Sequence, residues 1–100
     1  MLDLTNIYTV YELKWFDGTI LHLPKPTEAL LRKIAALESE YDDLTQVDQL
    51  EGVKKITWDL IKQNTDGRKF TKADLEQCDA IVSSMILKDY MDEVGKRLGE

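Results

Sequence analysis

The stretch ELKWFDGTILHLPKPT, residues 12–27, limits the folds open to this chain more than any other segment. Two apolar-rich runs flank the turn signal Asp17-Gly18, and this arrangement is typical of a β-hairpin. Pro24 and Pro26 have no N–H group to donate to a strand ladder, so the second strand is expected to end there. The N-terminal part of the chain is therefore predicted to be a short two-stranded unit that covers other elements.

The register of this hairpin, predicted over about residues 8–23, depends on the length of its turn. A two-residue turn pairs Phe16 with Thr19, whereas a three-residue loop with Gly18 in the left-handed conformation pairs Trp15 with Thr19. The second register puts Tyr11, Leu13, Trp15, Leu21 and Leu23 on one face and leaves Glu12, Lys14 and His22 on the other. Because a slip of one residue exchanges the faces, the cleaner separation favours the three-residue loop.

Three amphipathic helices are predicted after the hairpin. Thr27 and Thr71 stand at N-cap positions, and Asp74 completes a capping box with Thr71. The periodicity predicts helices at about 28–43, 46–63 and 72–92. The apolar side of the second helix is predicted to consist of Val47, Leu50, Val53, Ile56, Leu60 and Ile61. Trp58 widens that side, which predicts contacts with neighbours on two sides. We expect one domain over 1–100, of the α+β class and mostly α, in which the hairpin packs on a three-helix core.

The apolar face of the third predicted helix changes direction near residue 88. At about 100° per residue, the first part places Leu75, Cys78, Val82, Met85 and Ile86 on one face, with Ile81 nearby. The second part places Leu87, Met91, Val94 and Leu98 on nearly the opposite side. A straight helix cannot bury both stripes against one core. Either the helix bends or ends near residue 88, or the second stripe contacts another subunit or a partner protein.

We predict this second stripe as the partner-binding surface: it consists of Leu87, Met91, Val94 and Leu98. Gly95 and Gly99 lower helix propensity behind it, which predicts a weakly ordered tail over 93–100. Self-association through the stripe is the other form that its contact could take.

The net charge of −6 argues against nucleic acid as a partner, because phosphate contacts require a basic face. Residues 1–50 hold nine acidic and four basic side chains, a net of −5, whereas residues 51–100 hold ten and nine, a net of −1. Most of the excess lies in Glu38, Glu40, Asp42, Asp43 and Asp48. This cluster is either a solvated helix end and loop or an electrostatic docking patch.

Hydropathy and cysteine content predict where in the cell the protein works. No apolar run approaches the roughly 20 residues that a membrane span needs, so no membrane contact is expected. The N-terminal segment lacks the pattern of an export signal, and a lone cysteine cannot form an internal disulfide. These features predict a reduced, intracellular protein.

The residues that could carry chemistry do not form a site at the level of sequence. His22 is the only histidine and has no second ligand near it, so it is interpreted as a surface residue. Cys78 lies among apolar residues and is interpreted as a small buried side chain. Residues 62–73 resemble a calcium loop but lack its first and last carboxylates, which indicates a turn. We therefore expect no enzyme, and no catalytic residue, cofactor or metal.

The segment FDGTILHLPKPTEALLRKI resembles the N-terminal part of small tail assembly chaperones of long-tailed bacteriophages and prophages. Members of that family often begin with a short hairpin of the form D-G-x-x-x-x-L. A Pro-Thr pair then opens the first helix of an acidic, helical body. The match is carried here by Asp17, Gly18, Leu23, Pro26 and Thr27, and the general layout extends it over residues 8 to about 92.

The resemblance implies a non-enzymatic protein of the bacterial host cytoplasm. Such proteins bind the tape measure protein, keep its apolar helices soluble, and recruit tail tube subunits; they are absent from the finished virion. The family supplies no motif of binding residues, so the stripe remains an inference from helical geometry. The alternatives are a structural phage component, such as a head–tail connector subunit, and a small helical protein-interaction adaptor.

Overall fold

The computed structural model describes residues 9–98 of the chain, and the side chains of residues 11–96. In chain order its elements are β1 (Thr9–Lys14), β2 (Ile20–Pro24), α1 (Glu28–Glu40), a 3₁₀ turn (Tyr41–Asp43), α2 (Gln46–Lys62), α3 (Lys72–Glu76) and α4 (Ala80–Leu98). The predicted class is confirmed, because the fold is α+β and mostly α, with an N-terminal antiparallel hairpin. Within the described residues, no helix has the length and apolar character needed to cross a membrane.

The hairpin has the register that the three-residue loop predicts. The Trp15 N–H donates to the Thr19 carbonyl at 2.7 Å, and Gly18 has a φ of +87°, the left-handed conformation that favours glycine. Leu13 lies opposite Leu21 across the two strands. The predicted faces are also confirmed: Trp15, Leu21 and Leu23 are buried, Tyr11 and Leu13 are half-buried against the core, and Glu12 and Lys14 are exposed.

Two apolar clusters form the core beneath the hairpin. The first consists of Trp15, Leu21, Ile61, Leu75, Cys78 and Ile86. The second consists of Leu23, Leu30, Ile56, Leu60, Tyr90 and Val94. Each cluster takes side chains from the hairpin, from α2 and from α4, so these three elements cannot separate without exposing both clusters.

The predicted helix starts are confirmed by their caps. The Thr27 hydroxyl accepts from the Leu30 N–H at 3.1 Å, and the Thr45 hydroxyl accepts from the Asp48 N–H at 3.1 Å. The capping box predicted for Thr71 is present in full. The α1 helix ends at Glu40, three residues before the predicted end, and the 3₁₀ turn takes up those residues.

The α2 helix packs against α1 on one side and α4 on the other, as its wide apolar side predicts. That side is not buried along its whole length, however. Val47 is 69% exposed and Leu50 is 37% exposed, because the core clusters cover α2 only from Ile56 onward. The prediction that Val47 and Leu50 belong to the buried side is therefore wrong.

The predicted third helix is two helices, and the break lies at residues 77–79 rather than near 88. Asp79 caps the second of them: its carboxylate accepts from the Val82 N–H at 2.9 Å and its carbonyl from the Ser83 N–H at 2.8 Å. The Trp58 indole N–H reaches the Cys78 carbonyl at 2.9 Å and so binds the break to α2. The Ser83 hydroxyl lies 3.3 Å from the same carbonyl oxygen.

Because α4 starts afresh at the break, it buries a single continuous face. Ser83, Ile86, Tyr90 and Val94 are buried at spacings of three and four residues. Ile81 and Met85 lie about 160° and 200° around the helix from Ser83, and they are 70% and 66% exposed. The prediction that they share the core face is wrong. Residues 93–98 are helical and residues 99–100 lie outside the described part of the chain, so the weak order expected over 93–100 stays a prediction.

The cap at Asp79 yields a stability prediction. Asp79→Ala removes the acceptor of the Val82 N–H, so we expect a loss of about 1 kcal/mol in the free energy of unfolding, measured by urea titration. Asp79→Asn keeps a capping oxygen and is the matched control, with an expected change of less than about 0.5 kcal/mol. Equal losses in the two variants would show that the cap does not hold the start of α4.

Candidate protein-interaction surfaces

His22 lies in a network that the sequence did not reveal. Its ring Nδ1 is 2.8 Å from one carboxylate oxygen of Asp66, and its backbone N–H donates to the other at 2.6 Å. The His22 carbonyl accepts from the Thr65 N–H at 2.8 Å. Its Nε2 also faces Glu12, 3.7 Å away. Because 44 residues separate His22 and Asp66, no local pattern could have joined them.

The loop at residues 64–70 is held against the hairpin by further contacts. Arg68 forms an ion pair with Asp17 at 2.9 Å and lies over the Phe70 ring, which in turn contacts Trp15 edge to face. The Asn64 side chain is buried and bonds to backbone groups at both ends of the loop. The loop is the turn that the sequence predicts, and Gly67 takes a positive φ in it.

The hydrogen bonds of this region lower the pKa values of two carboxyl groups, those of Asp66 and Asp17. Hydrogen bonds from the His22 backbone and side chain hold the pKa of Asp66 below its usual range. Hydrogen bonds from Thr19, aided by Arg68, lower the pKa of Asp17. Both groups are therefore bound as carboxylates, and the His22–Asp66 pair connects the loop to the hairpin. Among the described residues, no group of three or more His, Cys, Asp or Glu side chains is placed to hold a metal ion.

Cys78 is placed as predicted, among buried apolar residues. Its side chain is fully buried in the first cluster, with the sulfur 3.2 Å from the Ser83 hydroxyl oxygen. Burial raises the pKa of the Cys78 thiol, which keeps it in the unreactive neutral form.

The predicted partner-binding stripe lies against the core of its own chain. Val94 is 3% exposed and belongs to the second cluster, and Leu87 and Met91 are half-buried against that cluster. The side chain of Leu98 lies outside the described residues. The expectation that the stripe faces away from the core is wrong, because the break at residues 77–79 turns α4 so that Leu87 and Met91 flank its buried face.

Among the described residues, exposed large apolar side chains lie at the hairpin turn (Phe16 and Ile20), on α1 (Leu31) and in two groups that each form a surface with charged residues. The first, which we call the acidic corner, lies where α1 meets α2. It combines the exposed apolar residues Tyr41, Val47 and Leu50 with the exposed acidic residues Glu38, Glu40, Asp42, Asp43, Asp48 and Glu51. The Gln49 side chain donates to the Tyr41 carbonyl at 2.6 Å, which holds the 3₁₀ turn beside the first turns of α2.

The electrostatics of the acidic corner are one-sided. Residues 38–53 contain six acidic side chains and no Lys or Arg, and the next residue, Lys54, pairs with one of the six, Glu51, at 3.0 Å. Val47 and Leu50 are three residues apart and therefore neighbours on the α2 surface. The corner thus presents apolar side chains within a negative field.

The second surface, which we call the edge surface, lies where β1 faces α4. It comprises the exposed apolar residues Ile81 and Met85 on one face of α4, with Tyr11 of β1 beside Met85; the Glu12 and Lys14 side chains lie on the other face of the hairpin and are exposed. A groove of about 470 Å³ runs along it, lined by Tyr11, Met85, Ile86, Lys88, Asp89 and Asp92. The Tyr11 hydroxyl donates to Asp89 at 2.6 Å and its ring contacts the Tyr90 ring edge to face, which fixes β1 over α4.

Neither surface was predicted as a whole. The acid cluster was visible in the sequence, but Val47 and Leu50 fitted the periodicity of a buried helix face. Ile81 and Met85 lie on the same predicted face as Leu75 if one helix runs through residues 77–79, and the break at those residues removes that relation. Asp is a favoured N-cap residue, so Asp79 is a local signal from which a new helix starting at residue 80 could have been predicted.

A scan against protein-family models, a search of curated proteins and a search of solved structures each found no match to this chain.

The His22–Asp66 contact gives a prediction about acid stability. A carboxylate whose pKa is lowered on folding stabilises the fold above its unfolded pKa of about 4, and that stability is lost as pH falls through the folded pKa. Asp66→Asn is therefore expected to lower the urea midpoint at pH 7. The difference between Asp66→Asn and the unmodified chain should shrink as the pH is lowered from about 5 to 3.

Glu76→Gln is the matched control, since Glu76 is an exposed carboxylate on α3. It should change the midpoint little at any pH. A gap between Asp66→Asn and the unmodified chain that stays constant down to about pH 3 would rule out a stabilising role for the Asp66 charge.

Proposed function

We propose that this chain is a non-enzymatic assembly chaperone of a long-tailed phage or prophage, working in the host cytoplasm. In this role it binds the tape measure protein and recruits tail tube subunits. The proposal rests on the resemblance of the hairpin and first-helix segment to that family, and on one structural observation. That observation is the acidic corner, where apolar side chains stand exposed in a negative field.

The chemistry of the acidic corner fits an apolar helix that also carries Lys or Arg. Val47 is more than two-thirds exposed, so burying it against a partner removes apolar surface that the chain leaves in water. Glu51 is paired with Lys54, and the other five carboxylates around Val47 favour a partner segment of opposite charge and speed its approach. A segment without apolar side chains or positive charge is expected to bind this surface only weakly.

The small size of the corner suits a transient partner. Three partly exposed apolar side chains offer much less than the interface of a stable complex, which buries about 800 Å² on each partner. A client held in this way can be released when the tail tube assembles around it. We therefore expect a salt-sensitive complex that forms and dissociates readily.

Co-expression tests the proposed function directly. With the tape measure protein from the same phage or prophage, we expect a soluble complex that co-purifies with this chain. An insoluble tape measure protein, with this chain left free in the supernatant, would contradict the proposal. Recovery of the chain from purified virions would also contradict it and would favour a structural component.

Substitutions at the corner locate the contact. Val47→Glu keeps the negative field but removes the apolar side chain, and we expect it to weaken capture of the tape measure protein by about tenfold. Charge reversal by Asp42→Lys with Asp43→Lys should weaken capture as well, and most strongly at low salt.

Leu31→Glu is the matched control for Val47→Glu. Leu31 is an exposed apolar residue of α1, 42% exposed, and lies about 15 Å before Tyr41 along the helix axis. It should leave capture unchanged. Equal losses in Val47→Glu and Leu31→Glu would contradict the assignment of the corner as the client site.

A further inference from the structure

The two edges of the hairpin differ in what covers them. The Trp15 N–H donates to the Thr19 carbonyl, and in an antiparallel pair the residues that bond to the partner strand alternate with those that do not. Trp15, Leu13 and Tyr11 are therefore the residues that face β2 with their backbone groups. The N–H and C=O groups of Glu12 and Lys14 therefore point away from β2. Within residues 9–98 the sheet has two strands, and no described residue bonds to these outward groups.

The edge of β2 is closed by other elements. The His22 N–H and C=O are bound by Asp66 and Thr65, and the Pro24 carbonyl accepts from the Tyr90 hydroxyl at 2.6 Å. An open strand edge is a template for another strand, and natural proteins usually cover or charge it. Within residues 9–98, the β1 edge is the one that no other element covers.

We propose that β1 pairs antiparallel with β1 of a second copy of this chain, around a twofold axis at Leu13. The two hairpins then form a four-stranded sheet. In this register Glu12 of one copy lies opposite Lys14 of the other, and the same pair recurs on the other side of the axis. Both residues point their backbone groups outward, so each such pair is hydrogen-bonded in the usual antiparallel pattern.

Other twofold-symmetric registers of two β1 strands use the same outward N–H and C=O groups, and charge favours the one with its axis at Leu13. A shift that places the axis at Glu12 sets the two Glu12 side chains opposite each other, and an axis at Lys14 sets the two Lys14 side chains opposite each other. Like charges directly opposite on a sheet are destabilising, whereas opposite charges are stabilising. Only the axis at Leu13 pairs every charge of the edge with its opposite.

The exposed face of α4 supplies a second, independent argument. Ile81 and Met85 are among the most exposed apolar side chains of the described residues, and Met85 lines the groove beside Tyr11 of β1. A second copy paired at β1 brings its own α4 towards this groove across the same axis. The contact would cover the apolar side chains that the separate chain leaves in water.

Charge-swap variants test the dimer by sedimentation over a range of concentrations. Lys14→Glu alone, or Glu12→Lys alone, turns both cross-strand pairs into like-charge pairs. Each is expected to raise the dimer dissociation constant by about tenfold at low salt. The double variant Glu12→Lys with Lys14→Glu restores opposite pairs and should dimerise like the unmodified chain.

Mixing supplies the strictest control. The chain with Lys14→Glu carries two acidic residues at the edge and the chain with Glu12→Lys carries two basic ones, so the two are expected to form a mixed dimer when combined. Both substituted positions are exposed, and circular dichroism of each variant will show whether the fold is kept. Ile81→Glu should also weaken the dimer, through α4 rather than through the strand.

Three results would overturn the proposal. These are an unmodified chain that stays monomeric at high concentration, single variants that dimerise as well as the unmodified chain, and a double variant no better than the singles. Pairing of β1 with a strand of another protein instead of a second copy would appear as the first of these.

The dimer test is separate from the test of the proposed function. Val47→Glu should dimerise normally, and the Lys14→Glu variant should still capture the tape measure protein through the acidic corner. Loss of one property without the other identifies which inference fails.

Discussion

The break at residues 77–79 determines the arrangement of the other helices. It is held by three groups: the Asp79 carboxylate caps α4, and the Trp58 indole and the Ser83 hydroxyl both reach the Cys78 carbonyl. A helix that ran on from Lys72 would carry the phase of Leu75 into α4. The restart instead puts Ser83 and Tyr90 at the centre of the buried face. It also places Ile81 and Met85 in solvent, and so creates the apolar part of the edge surface.

The hairpin is held to the helices asymmetrically, and no other element of residues 9–98 pairs with the outer edge of β1. Its β2 side is fastened by the loop that contains Thr65 and Asp66 and by the hydroxyl of Tyr90. Its β1 side is held from below through Tyr11, by contacts to Asp89 and Tyr90 that do not use the backbone of the edge. The strand is therefore fixed in position while its outward hydrogen-bonding groups remain accessible.

Local chemistry explains which features the sequence could predict. The hairpin register depends on a glycine in a three-residue loop, and the helix starts depend on Thr27 and Thr71; these interactions join residues at most four apart, so they can be predicted from the sequence. Which face of α4 is buried could not be predicted in the same way, because the centre of that face is formed by Ser83 and Tyr90, whose side chains carry hydroxyl groups. Their hydroxyls are satisfied by the carbonyls of Cys78 and Pro24, and the second of these is 66 residues away in the chain. The exposure of Val47 could not be predicted either, because it depends on how far along α2 the core extends, and the buried residues of α2 begin at Ile56.

Charge assigns different partners to the two proposed surfaces. The acidic corner has six carboxylates and no basic side chain over residues 38–53, so a second copy of the chain would meet its own charge there and be repelled. The β1 edge carries one charge of each sign, two residues apart, which is the pattern that an antiparallel copy of the same strand complements. Local charge balance favours self-association in a chain with a net charge of −6, and of these two sites the β1 edge, with one Glu and one Lys, has that balance. The corner, in our proposal, is the surface for a partner that supplies positive charge.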